Sequence, residues 1–510
     1  MAEPNIQNSG DQNPTSLPNA DKPDVLTKTA PLGVFPTIEQ SQRIAKYNYY
    51  EKLFMGEHFE AFNMRIGNAQ YNLAYSKLRY VMANFAGLIS KICADMLFGE
   101  KITIMPTVGD QKFIEGLWHE NNMDIQCYES GLLNSYEGDD LFKVRIGKRH
   151  KNSTKQSVII EEVTPKIYFP TTDPFNTRAN PINDTLAWVF KKGEKRYLRK
   201  EIHTPGLIEN QVFEMDGNEI KAAVGIDILG ISGLTDTEET GIEESLIVHI
   251  PNWKAGTRTF GISDYNDIDN LFYAINNRMS KIDNILDKHS DPILLVPEGL
   301  LDDDGKVQKK KLGVIEIKDG EGSKPEYVVW DASLENAMKE IEKLVEFIYM
   351  IGEVSPDVLG LGQGVSDSGR ALKFKLMRTI AKVARKKLYY YVGLRKVLYI
   401  AQLMAKAHGI EVDGRQLEGD PVMPDLRFAD GLPIDDSEQI ETETKAIDVG
   451  ITTRVDAAMR VYNLDEAEAK KKIKEIDDEK AISLPAMKLG GDPFKQKQQA
   501  PPKETNTGKK

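Results

Sequence analysis

The sequence contains very little cysteine, with only Cys93 and Cys127 in 510 residues. Two cysteines are too few for a disulfide scaffold or for a thiolate zinc site, and they are typical of folding in a reducing cytoplasm. The seven histidines are scattered, without the paired spacing of a metal site. We therefore expect no bound metal ion and no cofactor.

Long apolar runs are also missing. No stretch approaches the roughly 18 uninterrupted apolar residues that a membrane span needs. The best candidate, residues 80–98, is interrupted by Lys91 and Asp95. The first residues lack the basic and then apolar pattern of a signal peptide. The sequence therefore predicts no membrane partner.

Basic residues are outnumbered, because 66 lysines and arginines stand against 78 acidic residues, which gives a net charge of -12. A protein that binds DNA without regard to sequence is usually basic, since it must neutralise phosphates. Any contact with DNA must therefore be local or weak.

The usual catalytic patterns do not occur: there is no G-x-S-x-G and no H-E-x-x-H. Residues 364–371 are spaced like a phosphate-binding loop. However, Arg370 replaces its lysine and Ala371 replaces the hydroxyl that would hold Mg²⁺. We expect no catalytic residues, and a nucleotide-binding enzyme that uses residues 364–371 is a weak alternative.

The two ends of the chain are polar and rich in Asn, Pro, Ser and Lys, which predicts disorder. Between them, an α+β region begins with helices at residues 38–64 and 78–98. Segments rich in Val, Ile and Phe then predict strands. These segments are residues 101–106, 141–146, 157–163, 186–190, 207–215 and 246–250.

Two later helices carry apolar residues at alternating spacings of three and four. The first, from Ser263 to His289, presents Tyr265, Ile268, Phe272, Ile275, Met279, Ile282 and Leu286. The second, from Ser333, presents Leu334, Met338, Ile341, Val345 and Ile348. Such stripes predict antiparallel rods that pack along each other or against further copies. A buried hairpin within one domain is an equal alternative.

A glycine-rich loop, residues 355–369, precedes a predicted helix from Arg370 to His408 that contains eleven basic and no acidic residues. Lys375, Arg378, Lys382 and Arg385 share one face of that helix. This face indicates either contact with a polyanion or pairing with acidic residues elsewhere in the chain. We expect a bend at Gly393, and a further charged helical region over residues 436–480.

Three blocks of sequence resemble the portal family of tailed bacteriophages, in particular portals of long-tailed phages that infect Gram-positive hosts. The blocks are NFAGLISKICADMLFGEKITI (84–104), PNWKAGTRTFGISDYNDIDNLFYAINNRMSKID (251–283) and GEVSPDVLGLGQGVSDSGRALKFKL (352–376). They occur in the family's order, and the resemblance covers residues 50–480.

The resemblance implies an α+β portal fold. It assigns a disordered arm to residues 1–36, an α/β wing to 37–262, the first stem helix to 263–290, a small α/β clip to 291–332, the second stem helix to 333–354, the tunnel loop to 355–369, the long kinked basic wing helix and its connector to 370–435, a helical crown to 436–485 and a disordered tail to 486–510.

The same resemblance implies roles for individual residues. Those facing DNA in the tunnel loop would be Leu361, Gln363, Val365, Ser366, Asp367 and Ser368, with Arg370 and Lys373 as basic residues beside it. Those facing partners in the clip would be Asp302, Asp303, Asp304, Lys309 and Lys310. Those packing the stem would be Ile268, Phe272, Ile275, Met279, Ile282, Leu334, Ile341 and Ile348.

The function implied is that of a ring, usually of twelve subunits, at one capsid vertex, through which double-stranded DNA is packaged and ejected. The implied partners are other copies of the chain, DNA, the large terminase subunit, the major capsid and scaffolding proteins, and a head-tail adaptor. The chain would reside in the virion, and in the host cytoplasm during assembly. Another head-tail adaptor or structural virion protein is the main alternative.

Overall fold

The structure is a computed structural model. It describes residues 33–66, 79–105, 109–150, 152–176, 180–290, 293–295, 326–328, 334–359, 369–429, 431, 436–462, 464 and 466–483. Helices and sheets both contribute, and the predicted α+β class is confirmed. The chain divides into two compact units, residues 1–432 and 433–510.

The first unit begins with two helices where the sequence predicted one. Helix α1 (Ile38–Met55) starts with a capping box in which Thr37 and Gln40 each bond the other's backbone amide. It ends at Gly56, whose φ of +82° favours glycine. Helix α2 (His58–Ile66) follows. The last residues of the predicted arm are ordered, since Phe35 is buried and packs on Phe169.

Three further helices form the centre of this unit, and the sequence predicted only the first. Helix α3 (Phe85–Phe98) begins later than residue 78, because the side chain of Asn84 caps it by accepting from the Gly87 amide. Helices α4 (Gln111–Glu120) and α5 (Met123–Glu137) follow. Helix α5 approaches α3 closely because Gly131 lies against the Phe98 ring.

Two antiparallel sheets follow the helices. The first has the order β3-β2-β9, and the second runs β4-β5-β6-β7 with β8 also paired to β6. Their strands are β2 (Asp139–Gly147), β3 (Ser157–Val163), β4 (Asp184–Lys192), β5 (Lys195–Thr204), β6 (Leu207–Asp216), β7 (Glu219–Val224), β8 (Thr237–Glu239) and β9 (Ile247–Pro251). Strand β1 (Thr103–Met105) pairs with β12 (Asp425–Arg427), a partner more than 300 residues away. The sequence did not predict β5, β7, β8 or β12, the last of which lies in the predicted connector.

Helices α6 (Asp269–Ser290) and α7 (Leu334–Ile351) form an antiparallel hairpin. Near one end Ile268 lies beside Gly352, and further along Arg278 bonds Glu340. Beyond the helices, strands β10 (Ile293–Leu295) and β11 (Glu326–Val328) pair antiparallel. Residues later in α6 thus contact residues earlier in α7. The two helices are therefore antiparallel, as the two apolar stripes predicted.

Burial falls along the hairpin away from the body of the first unit. Ile268, Phe272, Ile275 and Ile348 are fully buried. Met279, Ile282, Leu334 and Ile341 are half-buried, whereas Leu286 and Met338 are about half exposed (51% and 49%). The far part of the stripe is thus only partly covered by the described residues.

The basic helix is interrupted at Leu376, between α8 (Gly369–Lys375) and α9 (Met377–His408). The helix is not interrupted at Gly393, where the sequence predicted a bend. Gly393 is buried in an unbroken helix, and a Cβ there would lie 2.5 Å from two side-chain atoms of Ile250. The glycine therefore allows α9 to pack closely on strand β9.

The second unit contains α10 (Asp436–Asp448), α11 (Arg454–Tyr462) and α12 (Glu466–Ser483). Arg454 forms a two-pronged ion pair with Asp477, and Arg460 forms one with Glu443. Helices therefore occupy the stretch that was predicted to be helical. No helix in the described part of the chain is long and apolar enough to cross a membrane.

Replacing Gly393 with alanine should destabilise the fold, although alanine is normally the better helix former. The added methyl group must displace the buried Ile250, and overpacking of this kind costs about 1–3 kcal/mol. Urea unfolding of G393A against wild type measures this cost. Ala384→Gly, at an exposed position of the same helix, reports helix propensity alone; a G393A protein as stable as wild type would contradict the close packing.

Candidate functional site

The most unusual chemistry in the described residues lies where both ends of the α6–α7 hairpin meet helix α9. We call this site the ionic junction and define it by Asp264, Lys382, Lys386, Asn252 and the carbonyl of Gly352. Asp264 precedes α6, Gly352 follows α7, and both lysines belong to α9. Their side chains have exposed fractions of 2% for Asp264, 6% for Lys382 and 4% for Lys386.

Asp264 is held from several directions. Its carboxylate lies 3.2 Å from the Lys382 ammonium and 2.7 Å from that of Lys386. It also accepts hydrogen bonds from the Ser135 hydroxyl (2.6 Å) and the Asn252 amide (3.1 Å). These contacts pin residues 264–268 into turns, which explains why α6 begins at Asp269 and not at Ser263 as predicted.

Asp264 and Lys382 favour each other's charged forms. Burial alone would raise the pKa of Asp264, but Lys382 and Lys386 hold it well below its usual range. Burial alone would lower the pKa of Lys382, but Asp264 raises it above its ordinary value. Lys382 also donates to the Gly352 carbonyl at 2.8 Å. One ammonium therefore joins the start of α6 to the end of α7.

A second set of contacts fixes the segment that follows α7. Glu353, with a φ of +56°, accepts from both Arg378 and Arg385 of α9. Two residues later, the Ser355 amide donates to the Thr379 hydroxyl at 2.7 Å. The chain therefore leaves α7 along a path that α9 determines.

The predicted cationic face of α9 is thus turned toward acidic groups of the same chain. Lys382 pairs with Asp264, Arg378 and Arg385 pair with Glu353, and Lys375 lies 3.8 Å from Asp357. Of the two interpretations of this face, the structure favours pairing within the chain over contact with a polyanion.

A cluster of carboxyl groups lies on another side of α9. Asp140, at the start of β2, accepts from Ser130, which also bonds the Tyr390 hydroxyl at 2.9 Å. Burial and the Glu162 carboxylate raise the pKa of Asp140 well above its ordinary value. Burial, with a smaller effect of Glu129, raises the pKa of Glu162 to about 7. Among the described residues, no group of three or more His, Cys, Asp or Glu side chains is suited to a metal ion.

Residues 191–483 match the family model described as phage portal protein, SPP1 Gp6-like. The match spans more than half of the chain and includes the hairpin, the ionic junction and the long helix. The chain belongs to this phage portal family. No curated protein matches the chain. Portal proteins form a structural family and not an enzyme family.

The residues predicted to act in a portal are placed unevenly. Those of the tunnel loop (Leu361, Gln363, Val365, Ser366, Asp367 and Ser368) and of the clip (Asp302, Asp303, Asp304, Lys309 and Lys310) lie outside the described residues. Arg370 belongs to helix α8, and Lys373 is exposed on it. The predicted stem residues belong to the hairpin or, for Ile268, to the turn before it.

The ionic junction was not predictable from the sequence, because its members are distant from one another along the chain. Asp264 lay within a helix predicted from Ser263, and Lys386 was only one of eleven basic residues. One signal was available: a helix of this length without any acid must find its counterions elsewhere. Asp264 and Glu353, at the two ends of the hairpin, were the acids in reach.

Asp264→Asn should destabilise the portal chain strongly at pH 7, because it leaves two buried ammonium groups without a counterion. Breaking a buried pair from one side costs about 3–5 kcal/mol. The contribution of Asp264 is fully present above the unfolded pKa of about 4 and is lost as the pH falls below it. The difference in free energy of unfolding between the variant and wild type should therefore become smaller at acidic pH.

Asp267→Asn is the matched control, since Asp267 is exposed in the same turn segment. Urea unfolding at fixed protein concentration, from pH 7 to pH 3, compares the two variants. Equal effects of both substitutions at pH 7 would contradict the junction.

Glu162→Gln should remove part of the loss of stability that wild type shows as the pH rises. A carboxyl with a raised pKa stabilises the fold fully below its unfolded pKa and loses that contribution as the pH rises through about 7. Wild type should lose about 1–3 kcal/mol from this group between pH 5 and pH 8.5. Glu161→Gln, on the same strand and paired with Arg145 at the surface, should keep the wild-type slope. An unchanged slope in E162Q would refute the assignment.

Proposed function

We propose that the chain forms a ring at one vertex of a phage capsid, and that double-stranded DNA is packaged and later ejected through the channel of this ring. The match of residues 191–483 to the portal family carries the proposal. The antiparallel hairpin supports it, because a pair of rods anchored at one end is suited to lining a channel.

Residues 360–368 are the proposed contact with DNA. They connect Leu359, which ends a short 3-10 helix (Pro356–Leu359), to Gly369 at the start of α8. Both flanks are fixed near the ionic junction, by Ser355 on Thr379 and by Asp357 near Lys375. A segment fixed at both flanks would shift with a small movement of α7 against α9. This shift would change its contact with DNA.

The charge of the chain suits a conduit. Twelve copies at -12 each would carry a total charge of roughly -144, which repels DNA at long range. The arginine and lysine side chains of α9 nearest to the proposed DNA contact already pair with Asp264 and Glu353. DNA would therefore meet few free cations and would slide without being gripped.

The remaining partners follow from the proposed geometry. Residues 291–332, at the far end of the hairpin, would face the large terminase subunit during packaging and the head-tail adaptor afterwards. Neighbouring copies would cover the half-exposed Leu286 and Met338 of the hairpin. The ring, a dodecamer by resemblance, would be built in the host cytoplasm with scaffolding and major capsid proteins and would remain in the virion.

Deleting residues 361–368 should leave the ring intact, because the junction that anchors the hairpin lies outside the deletion. Packaged or retained DNA should fall by at least about tenfold, since the proposed contact with DNA is lost. Electron microscopy of the purified variant and DNA content of assembled particles measure the two effects.

A matched variant with residues 361–368 replaced by an eight-residue Gly/Ser linker keeps the length and removes the side chains. Loss of the ring in both variants would assign a structural role to the segment, and normal DNA content in both would remove it from the DNA path.

A further inference from the structure

A cavity of 720 Å³ lies between the two sheets and helix α9, outside the ionic junction. Strand β9, the turn after it and the side chains of Leu388 and Val392 contribute to its wall. Two acids of the wall already have partners: Asp184 accepts from Tyr168 at 2.6 Å, and Glu244 lies 3.4 Å from Lys396. Both of these carboxylates are therefore already paired.

Two polar groups of the same wall are not satisfied. The Lys254 ammonium is partly buried and has no hydrogen-bonded or ion-paired partner in the part of the chain that the structure describes. Asp139, whose charge acts on Lys254, already bonds Tyr47 and His249. His203 is fully buried, and its Nδ1 atom has no hydrogen-bond partner there. An unpaired ammonium in a cavity calls for an anion.

The mouth of the cavity adjoins an uncovered apolar stripe on α9, formed by Met377, Ala381, Ala384, Leu388 and Val392. At 100° per residue these five lie within about 80° of one another around the helix. Met377, Leu388 and Val392 are 63%, 68% and 66% exposed, and no described side chain covers them. A stripe of this kind marks a protein contact.

We propose that a second copy of the chain covers this stripe and inserts a carboxylate side chain into the cavity beside Lys254. The inference rests on the proposed ring, in which every copy has a neighbour on each flank. A chain with 78 acids against 66 bases has an excess of carboxylates, whose charge complements a lone ammonium. The apolar stripe supplies the contact area, and the ion pair of Lys254 determines how the two copies align.

The first test is zero-length carbodiimide cross-linking, which joins an ammonium only to a carboxylate in contact with it. Rings assembled from equal amounts of ¹⁴N- and ¹⁵N-labelled chain are cross-linked and digested. The Lys254 peptide should be joined to an acidic peptide in mixed-isotope pairs. Pairs of a single isotope only, including a link to residues 1–32 of the same copy, would overturn the proposal, as would the absence of a link.

The second test uses substitutions. Lys254→Glu should raise the protein concentration needed for half-assembly by about thirtyfold or more, because it places like charges together. Lys254→Met should weaken assembly as well, yet leave the unfolding midpoint of the dissociated chain unchanged or higher, since it removes an unpaired buried charge. Lys191→Glu, at an exposed position of β4, makes the same change of charge and should assemble like wild type.

The outcomes separate the inference from the function on which it rests. Wild-type rings together with normal assembly of K254E would overturn the inference and leave the ring. A wild-type chain that stays monomeric would overturn both. A K254M chain that assembles normally would also count against an inserted carboxylate.

Discussion

The buried ion pairs of Asp264 with Lys382 and Lys386 fix the hairpin of α6 and α7 on helix α9. They bring three distant segments to one point: the turn before α6, the end of α7 and the middle of α9. Buried charges tolerate little displacement, because each must keep its partner within a few ångströms. The hairpin is therefore anchored in direction as well as in position.

This constraint also decides what the basic helix can do. An acid-free helix suggests a surface for nucleic acid. However, its charged side chains near the hairpin form ion pairs with Asp264 and Glu353 of the same chain. What α9 leaves exposed is an apolar stripe. In the proposed ring, this stripe would contact a neighbouring copy, and the connection between α7 and α8 would contact DNA.

Sequence periodicity predicted the hairpin well, because a stripe of apolar residues at spacings of three and four reports packing directly. It failed where a distant partner decided the local structure. The start of α6 shifted to Asp269 because Asp264 is bound by α9, and the helix break fell at Leu376 while Gly393 served close packing on Ile250. Helices α4 and α5 were missed because their stability depends on tertiary packing, in which Phe113, Leu117, Met123 and Cys127 are buried. The absence of acids in the basic helix indicated that its counterions lie elsewhere, but no pattern identified Asp264 as the partner across some 120 residues.

An averaged electron-microscopy image of the purified wild-type chain, viewed down its axis, tests the central claim most directly. We expect a closed ring with a central channel wide enough for a DNA duplex. Monomers or small compact oligomers without a channel would contradict it.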